Sequence, residues 1–253
     1  MHLHWPAEAV WEAVAPTLPG FTVEVLPQID STNTELMRRA RAGQTEPVLL
    51  VAQAQTAGRG RLGRQWDGGA QAGDVLMFSL GLPLGMADWS GLSLAVGVSV
   101  AQSLHPEVRI KWPNDLWWQE RKLAGILIET TQVAELRYAV IGVGINVTPR
   151  PAQGLATPPA CLQELLPDMD APQALLRVAP ALVRDVQRFE AEGWSSFLPA
   201  FRARDVLRGR DVLLSDGTQG QAMGVDEVGA LRVHTAAGLR RVNSAEVSVR
   251  PSP

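Results

Sequence analysis

Cysteine is almost absent: Cys161 is the single one among 253 residues, so no internal disulfide can form and nothing points to an oxidising compartment. The start, Met-His-Leu-His-Trp-Pro, lacks the basic segment and apolar run of a secretory signal. No window approaches the roughly 18 apolar residues of a membrane span. These absences predict a soluble, cytoplasmic protein with no membrane partner. An excess of positive charge is lacking too, since 23 Lys and Arg face 26 Asp and Glu for a formal charge of −3. No global field therefore draws the chain to DNA or RNA. The commoner nucleotide fingerprints are missing: no G-x-G-x-x-G follows a strand into a helix, and no G-x-x-x-x-G-K-[ST] occurs. His2 and His4 have no cysteine or carboxylate cluster beside them and read as part of a frayed terminus, while His105 and His234 stand alone. Cys161 has no evident histidine partner and reads as a bystander.

What is present in excess is local. Residues 53–66 run Gln-Ala-Gln-Thr-Ala-Gly-Arg-Gly-Arg-Leu-Gly-Arg-Gln-Trp, with Arg59, Arg61 and Arg64 set among Gly58, Gly60 and Gly63. Like charges at that spacing repel unless an anion joins them, and glycine lets the backbone approach a ligand closely. Trp66 follows with a flat ring on which a base could stack. Taken alone, the loop suits a phosphorylated nucleotide, a flexible basic surface segment, or non-specific nucleic-acid binding. The acidic chain around it favours a small anion over a polymer.

Along the chain, apolar periodicity predicts a short helix over 6–15, a strand over 21–26, and a helix that opens on Asp30-Ser31-Thr32-Asn33-Thr34-Glu35 and closes near Gly43. Capping needs one of those polar side chains, so the surplus can serve a polar ligand group. Strands are predicted over 48–52 and 75–80, a buried helix over 91–104, and strands over 108–112, 116–118, 122–129 and 136–147. An irregular, proline-rich connection spans 149–172, and helices are expected over 174–189 and 195–204. Beyond them, short apolar runs at 211–214, 220–224, 230–234, 240–242 and 246–249 alternate with glycine turns, the pattern of a small all-β barrel. Antiparallel-looking strands outnumber the helices between them. The prediction is an α+β domain over 1–205, with a mixed, mostly antiparallel sheet and flanking helices, and a small barrel over 206–253.

Polar residues in apolar surroundings mark three further places: Lys111 to Asp115, Lys122, and Asn146. Lys122 opens an apolar strand, where it could simply snorkel at a sheet end, and Gly125 allows close approach three residues on. Asn114 with Asp115 could hold magnesium on phosphate oxygens, because that ion takes few carboxylates and keeps several waters.

Four segments now stand in order: Gly58-Arg59-Gly60-Arg61-Leu62-Gly63-Arg64-Gln65-Trp66, Lys111-Trp112-Pro113-Asn114-Asp115-Leu116, Lys122-Leu123-Ala124-Gly125-Ile126-Leu127-Ile128-Glu129 and Gly142-Val143-Gly144-Ile145-Asn146-Val147. With Ser31-Thr32-Asn33 and Gln55 they closely resemble the biotin protein ligases, over residues 21–250. The resemblance implies the biotin–lipoate ligase fold, class II synthetase-like, with an SH3-like C-terminal barrel. It implies two steps: biotin and ATP form biotinyl-5′-AMP, and a lysine of the biotin carboxyl carrier protein of acetyl-CoA carboxylase then displaces AMP. It places Ser31, Thr32, Asn33, Gln55, Gly58, Arg59, Gly60, Arg61, Lys122 and Gly125 around biotin, and Arg61, Arg64, Trp66, Asn114, Asp115, Lys122 and Asn146 around ATP. Trp66 would stack on adenine. Lys122, Arg61 and Asp115 would be catalytic, and Asp115 would be the magnesium ligand or would help deprotonate the incoming amine. A monomer or homodimer is expected.

Some members of the family carry an N-terminal winged helix-turn-helix and act as repressors. Only 30 residues precede Ser31 here, so no repressor function and no nucleic-acid partner are expected. Lipoate ligases and octanoyltransferases share the fold, but the arginine loop and Lys-Trp-Pro-Asn-Asp speak against them. A nucleic-acid-binding regulator is disfavoured by the net charge.

Overall fold

The computed structural model describes residues 3–150, 159–243 and 249–251. His2 and residues 246–248 of the last expected strand lie outside them. Seven strands form one sheet: β1 (Thr22–Leu26), β2 (Val48–Ala52), β3 (Val75–Pro83), β4 (Arg109–Lys111), β5 (Asp115–Trp118), β6 (Arg121–Val133) and β7 (Leu136–Asn146), in the order β1-β2-β3-β7-β6-β5-β4. Only β1 and β2 run parallel; the other neighbours are antiparallel. The sheet is thus mixed and mostly antiparallel, as expected.

Period-two alternation sorts side chains onto two faces. On β7, Ala139, Ile141, Val143 and Ile145 join the large core with α3 (Leu92–Leu104) and α4 (Ala171–Glu192). Tyr138 and Val140 point the other way, into a smaller core beneath α2 (Thr32–Arg41) with Leu36, Met37 and Leu50. α2 begins where Ser31, in extended backbone, accepts from Thr34 N. α4 begins at a reciprocal capping box between Asp170 and Gln173.

A short α1 (Ala7–Val14) buries Val10 and Val14. The expected helix over 195–204 is two pieces, a 3-10 turn at Trp194–Ser196 and α5 (Leu198–Arg202), because Pro199 sits well only in a first helical turn. The expected strand over 122–129 runs on to Val133, because β7 pairs with it from Ala124 to Val133.

The C-terminal residues form a separate five-stranded sheet from β8 (Asp211–Leu214), β9 (Gln219–Val225), β10 (Leu231–Thr235), β11 (Gly238–Val242) and β12 (Val249–Pro251), in the order β11-β10-β9-β8-β12. It docks through tryptophan donors: Trp112 Nε1 lies 3.0 Å from Gly229 O, and Trp194 Nε1 lies 3.3 Å from Asp226 O. Among the described residues, no helix is long and apolar enough to cross a membrane.

Candidate active site

The end of the sheet not covered by α2 holds a cleft of about 900 Å³, counting its open mouth. One row of paired residues crosses it: Met77 on β3, Gly144 on β7, Gly125 on β6, Asp115 on β5 and Lys111 on β4. The row runs from apolar to charged through two positions with no side chain. That emptiness is used, since a Cβ on Gly144 would stand 2.3 Å from the Trp66 ring and one on Gly125 2.9 Å from it. Trp66 therefore rests on a glycine floor, with the Lys122 and Arg150 cations over its ring. In the next row Gly142 takes Asn33 in the same way, with Oδ1 only 2.1 Å from where a Cβ would lie.

Polar groups gather at the α2 end. The Gln55 side-chain carbonyl accepts from Thr32 N at 2.7 Å. Ser79 Oγ lies 2.7 Å from Thr32 Oγ1 and 2.6 Å from Asn33 Oδ1, and Asn33 Nδ2 donates to Leu127 O at 3.1 Å. Ser31, Thr32, Asn33 and Ser79 are all buried. Buried polar groups need partners, so this network fixes the orientation of each member.

The arginine loop is a small hairpin rather than a loose coil. Gly60 N donates to Arg64 O at 2.7 Å and Trp66 N to Gly58 O at 2.9 Å. Its tip turns through Leu62 (φ 57°) and Gly63 (φ 71°). Only glycine enters that left-handed region without cost, so Leu62 carries local strain at the tip. Arg59 reaches back to Glu129, while Arg61 Nη1 donates to Asn114 Oδ1 at 3.2 Å.

Lys122 reaches the same face by an irregularity. Leu116 pairs with Ala124 and Trp117 with Lys122, so Leu123 is one extra residue on β6. Strict alternation would set Lys122 and Gly125 on opposite faces, and the bulge brings them together. Lys122 Nζ then lies 2.7 Å from Asp115 Oδ1 and 5.3 Å from the centre of the Trp66 ring. Lys111 Nζ stands on the other carboxylate oxygen of Asp115 at 3.7 Å. Burial pushes the Lys111 amine below its ordinary value; Asp115 opposes this, and Lys122 and Arg64 add to it. Burial likewise pushes Arg61 down, with Asp115 opposing and Arg64 adding. Cations crowded in this way favour an incoming anion.

Ser31, Thr32, Asn33, Gln55, Arg59, Gly60, Arg61, Arg64, Trp66, Asn114, Asp115, Lys122 and Gly125 all line the cleft. Two residues singled out in the sequence stand behind it. Gly58 packs against the Trp66 carbonyl, where a Cβ would be 2.5 Å away. Asn146 is 1% exposed, and its Nδ2 donates to Lys122 O and Ala160 O, both at 3.0 Å. It thereby fixes the backbone that carries Lys122. Residues not singled out as site members also belong here: Met77, Ser79, Gly142, Gly144, Lys111, and Arg150, whose guanidinium is 5.9 Å from the Trp66 ring centre. Gly142 and Gly144 lie two apart on one strand face, and Ser79 is a lone hydroxyl in an apolar strand; those signals could have marked them.

Among the described residues, no ready-made cluster of protein ligands awaits a magnesium ion. No cluster of three or more His, Cys, Asp or Glu suited to a metal occurs among the described residues. Asp115, the carboxylate expected to bind it, already carries two ammonium partners.

A cleft on an α+β sheet, with polar donors at one end, a glycine floor and converging cations at the other, defines a site for bringing a small acid against a phosphorylated nucleotide. The comparisons narrow that class. Residues 25–146 match the biotin/lipoate A/B protein ligase family, and residues 211–250 match the biotin protein ligase C-terminal domain. The bifunctional ligase/repressor BirA of Escherichia coli (strain K12) is 35% identical over 247 residues, covering 92% of this chain and 75% of that protein. The biotin–[acetyl-CoA-carboxylase] ligase of Paracoccus denitrificans is 32% identical over 237 residues, covering 88% and 98%. A solved biotin protein ligase from Aquifex aeolicus, in complex with biotin and ATP, superposes with a TM-score of 0.76 at 30% identity, covering 91% of this chain and 99% of that one. The chain belongs to the biotin protein ligase family.

Proposed function

We propose that this protein is an ATP-dependent biotin ligase. Biotin's carboxylate attacks the α-phosphate of ATP, pyrophosphate leaves, and biotinyl-5′-AMP remains in the cleft. The amine of a lysine on the biotin carboxyl carrier protein of acetyl-CoA carboxylase then attacks the biotinyl carbonyl and expels AMP. The observation that carries this reading is the convergence of Lys122, Arg61 and Arg64 on one cleft with the polar α2 terminus. The first step sets an anion against an anion, so catalysis is chiefly positioning and charge neutralisation. That accounts for abundant cations and the lack of a protein nucleophile.

Ser31, Thr32, Asn33 and Gln55, with the backbone near Arg59 and Gly60, hold the polar ring of biotin, and Gly125 leaves room beside it. Arg61 and Arg64 face the phosphates, and Trp66 stacks on adenine. Lys122 sits between the two reacting anions, held there by Asp115 and by the Asn146 amide beneath its backbone. Asn114 orients Arg61. Magnesium would accompany the triphosphate, with Asp115 as the carboxylate that would hold it, and would neutralise phosphate charge there. Residues 1–205 form the catalytic unit and 206–253 the appended one, in a cytoplasmic monomer or homodimer. Ligation rather than operator binding is the activity, in keeping with the net charge of −3.

Incubating the chain with biotin, labelled ATP and magnesium should yield biotinyl-AMP. ATP–pyrophosphate exchange that depends on lipoate and not biotin would move the assignment to the sister ligases. Specific capture of an operator duplex would restore a repressor role.

A further inference from the structure

Of the 23 basic side chains in the sequence, Lys111 and Lys122 are lysines and the other 21 are arginines. Lysine is ordinarily among the commonest residues of a soluble protein. Both lysines stand in the cleft, with their ammonium groups on the one carboxylate of Asp115 at 3.7 and 2.7 Å. Among the described residues, every ion pair formed away from Asp115 uses an arginine, from Arg38 with Asp30 on α2 to Arg241 with Asp226 on the C-terminal sheet. Several of those places ask for nothing that a lysine lacks. Arg184, Arg210 and Arg241 have side chains 72%, 37% and 63% exposed, and each meets a single carboxylate, that of Asp185, Glu120 and Asp226. The bidentate fork that sets arginine apart is not engaged there. The difference that remains is reactivity. A neutral lysine amine has a lone pair to attack with, whereas a guanidinium keeps its proton and has none.

We propose that this chain is excluded as an acceptor of its own intermediate, because outside the cleft its surface offers biotinyl-5′-AMP no side-chain amine. The proposal rests on the ligase reading. In the transfer step an amine lone pair attacks the biotinyl carbonyl and the N–C bond forms. The C–O bond to the phosphate breaks, AMP leaves with that electron pair, and the amine's proton passes to water. Any exposed lysine can enter this step, and the enzyme's own surface is the nearest source of them. Selectivity for the carrier lysine is thus gained by removing rivals rather than by adding contacts. Adenylate that escapes the cleft is left to water and to the amines of other proteins.

The test compares the full chain with a triple variant, Arg184→Lys, Arg210→Lys and Arg241→Lys, at positions that do not line the cleft. Each is incubated without a carrier protein in two ways, with biotin, ATP and magnesium, and with ready-made biotinyl-5′-AMP. Peptide mapping should find no biotin on any lysine of the unaltered chain, and biotin at positions 184, 210 and 241 of the variant. Both chains should form biotinyl-AMP at the same rate. Biotin on Lys111 or Lys122 of the unaltered chain overturns the proposal, as does a variant that ready-made biotinyl-AMP leaves unlabelled. If the triple variant does not fold, Arg184→Lys alone carries the comparison, and its failure to gain label overturns the proposal equally. Labelling of the variant by the ready-made compound, with no biotinyl-AMP formed from biotin and ATP by either chain, would defeat the ligase reading while the contrast between the two surfaces stands.

Discussion

The two faces of the seven-stranded sheet come from the same strands and solve opposite problems. On β7, Ala139, Ile141, Val143 and Ile145 fill one face with close-packed side chains. The alternate residues begin the other face in the same manner, Tyr138 and Val140 lying under α2, and then side chains stop at Gly142 and Gly144. Into the space left come Asn33 and Trp66, groups carried by a helix terminus and a loop. The filled face supplies stability and tolerates no missing volume. The bare end of the other face supplies a site, and its function is written in side chains left out.

Substitutions on the two faces should therefore fail in different currencies. The largest effect belongs to Lys122→Ala on the site face. It should cut biotinyl-AMP formation about 10³-fold, as removal of one preorganised charge donor does, with unfolding almost unchanged. Near-normal turnover in a folded variant would remove Lys122 from its role. Leu80→Ala on the packed face removes a fully buried side chain and should cost about 3 kcal/mol in denaturant unfolding. Its biotin affinity should stay as it was, and a matching loss of affinity would erase the distinction between the faces. Gly144→Ala comes next. The new Cβ would lift Trp66 off the floor, and biotin affinity measured by calorimetry should fall about tenfold, near 1.4 kcal/mol, with little change in Tm. Unaltered affinity would mean that the ring's seat on Gly144 does not matter.

The contrast also explains how much could be read before the structure. Filled faces repeat at regular spacing, so the strands and the long helix were legible from apolar periodicity. The arginine loop, Lys122 and Asp115 were legible as charges in places that do not suit charges. Other features depend on register, which one chain does not display. The bulge at Leu123 alone puts Lys122 on the face of Gly125, and without it the sequence reads as simple alternation. Asn146 looks like a ligand group by its setting, yet pairing places it beneath Lys122 with both amide hydrogens on carbonyls. Glu129 reads as one more polar residue late in a strand until the hairpin folds back on it. Arg150 lies over the Trp66 ring from a segment whose composition predicts only a connection.

Lys111 tests what the site face costs the fold. It is 8% exposed at the charged end of the row that crosses the cleft, and burial, the strongest influence on it, holds its amine below the ordinary 10.5. The unfolded chain keeps that proton up to about 10.5, while the folded chain releases it at a lower pH. Between the two values the unfolded state binds more protons, so stability from this group rises with pH across that window, and below the window its cost is present in full. Lys111→Met keeps the length of the side chain and removes the charge, leaving Asp115 paired with Lys122 at 2.7 Å. The variant should be more stable than the unaltered chain at pH 6, and the margin should narrow as the pH approaches 10.5. Denaturant titrations at the two ends of that range measure it. A margin that is absent or that widens with pH would show that the ammonium is well solvated or well paired, and that this end of the cleft is no burden on the fold.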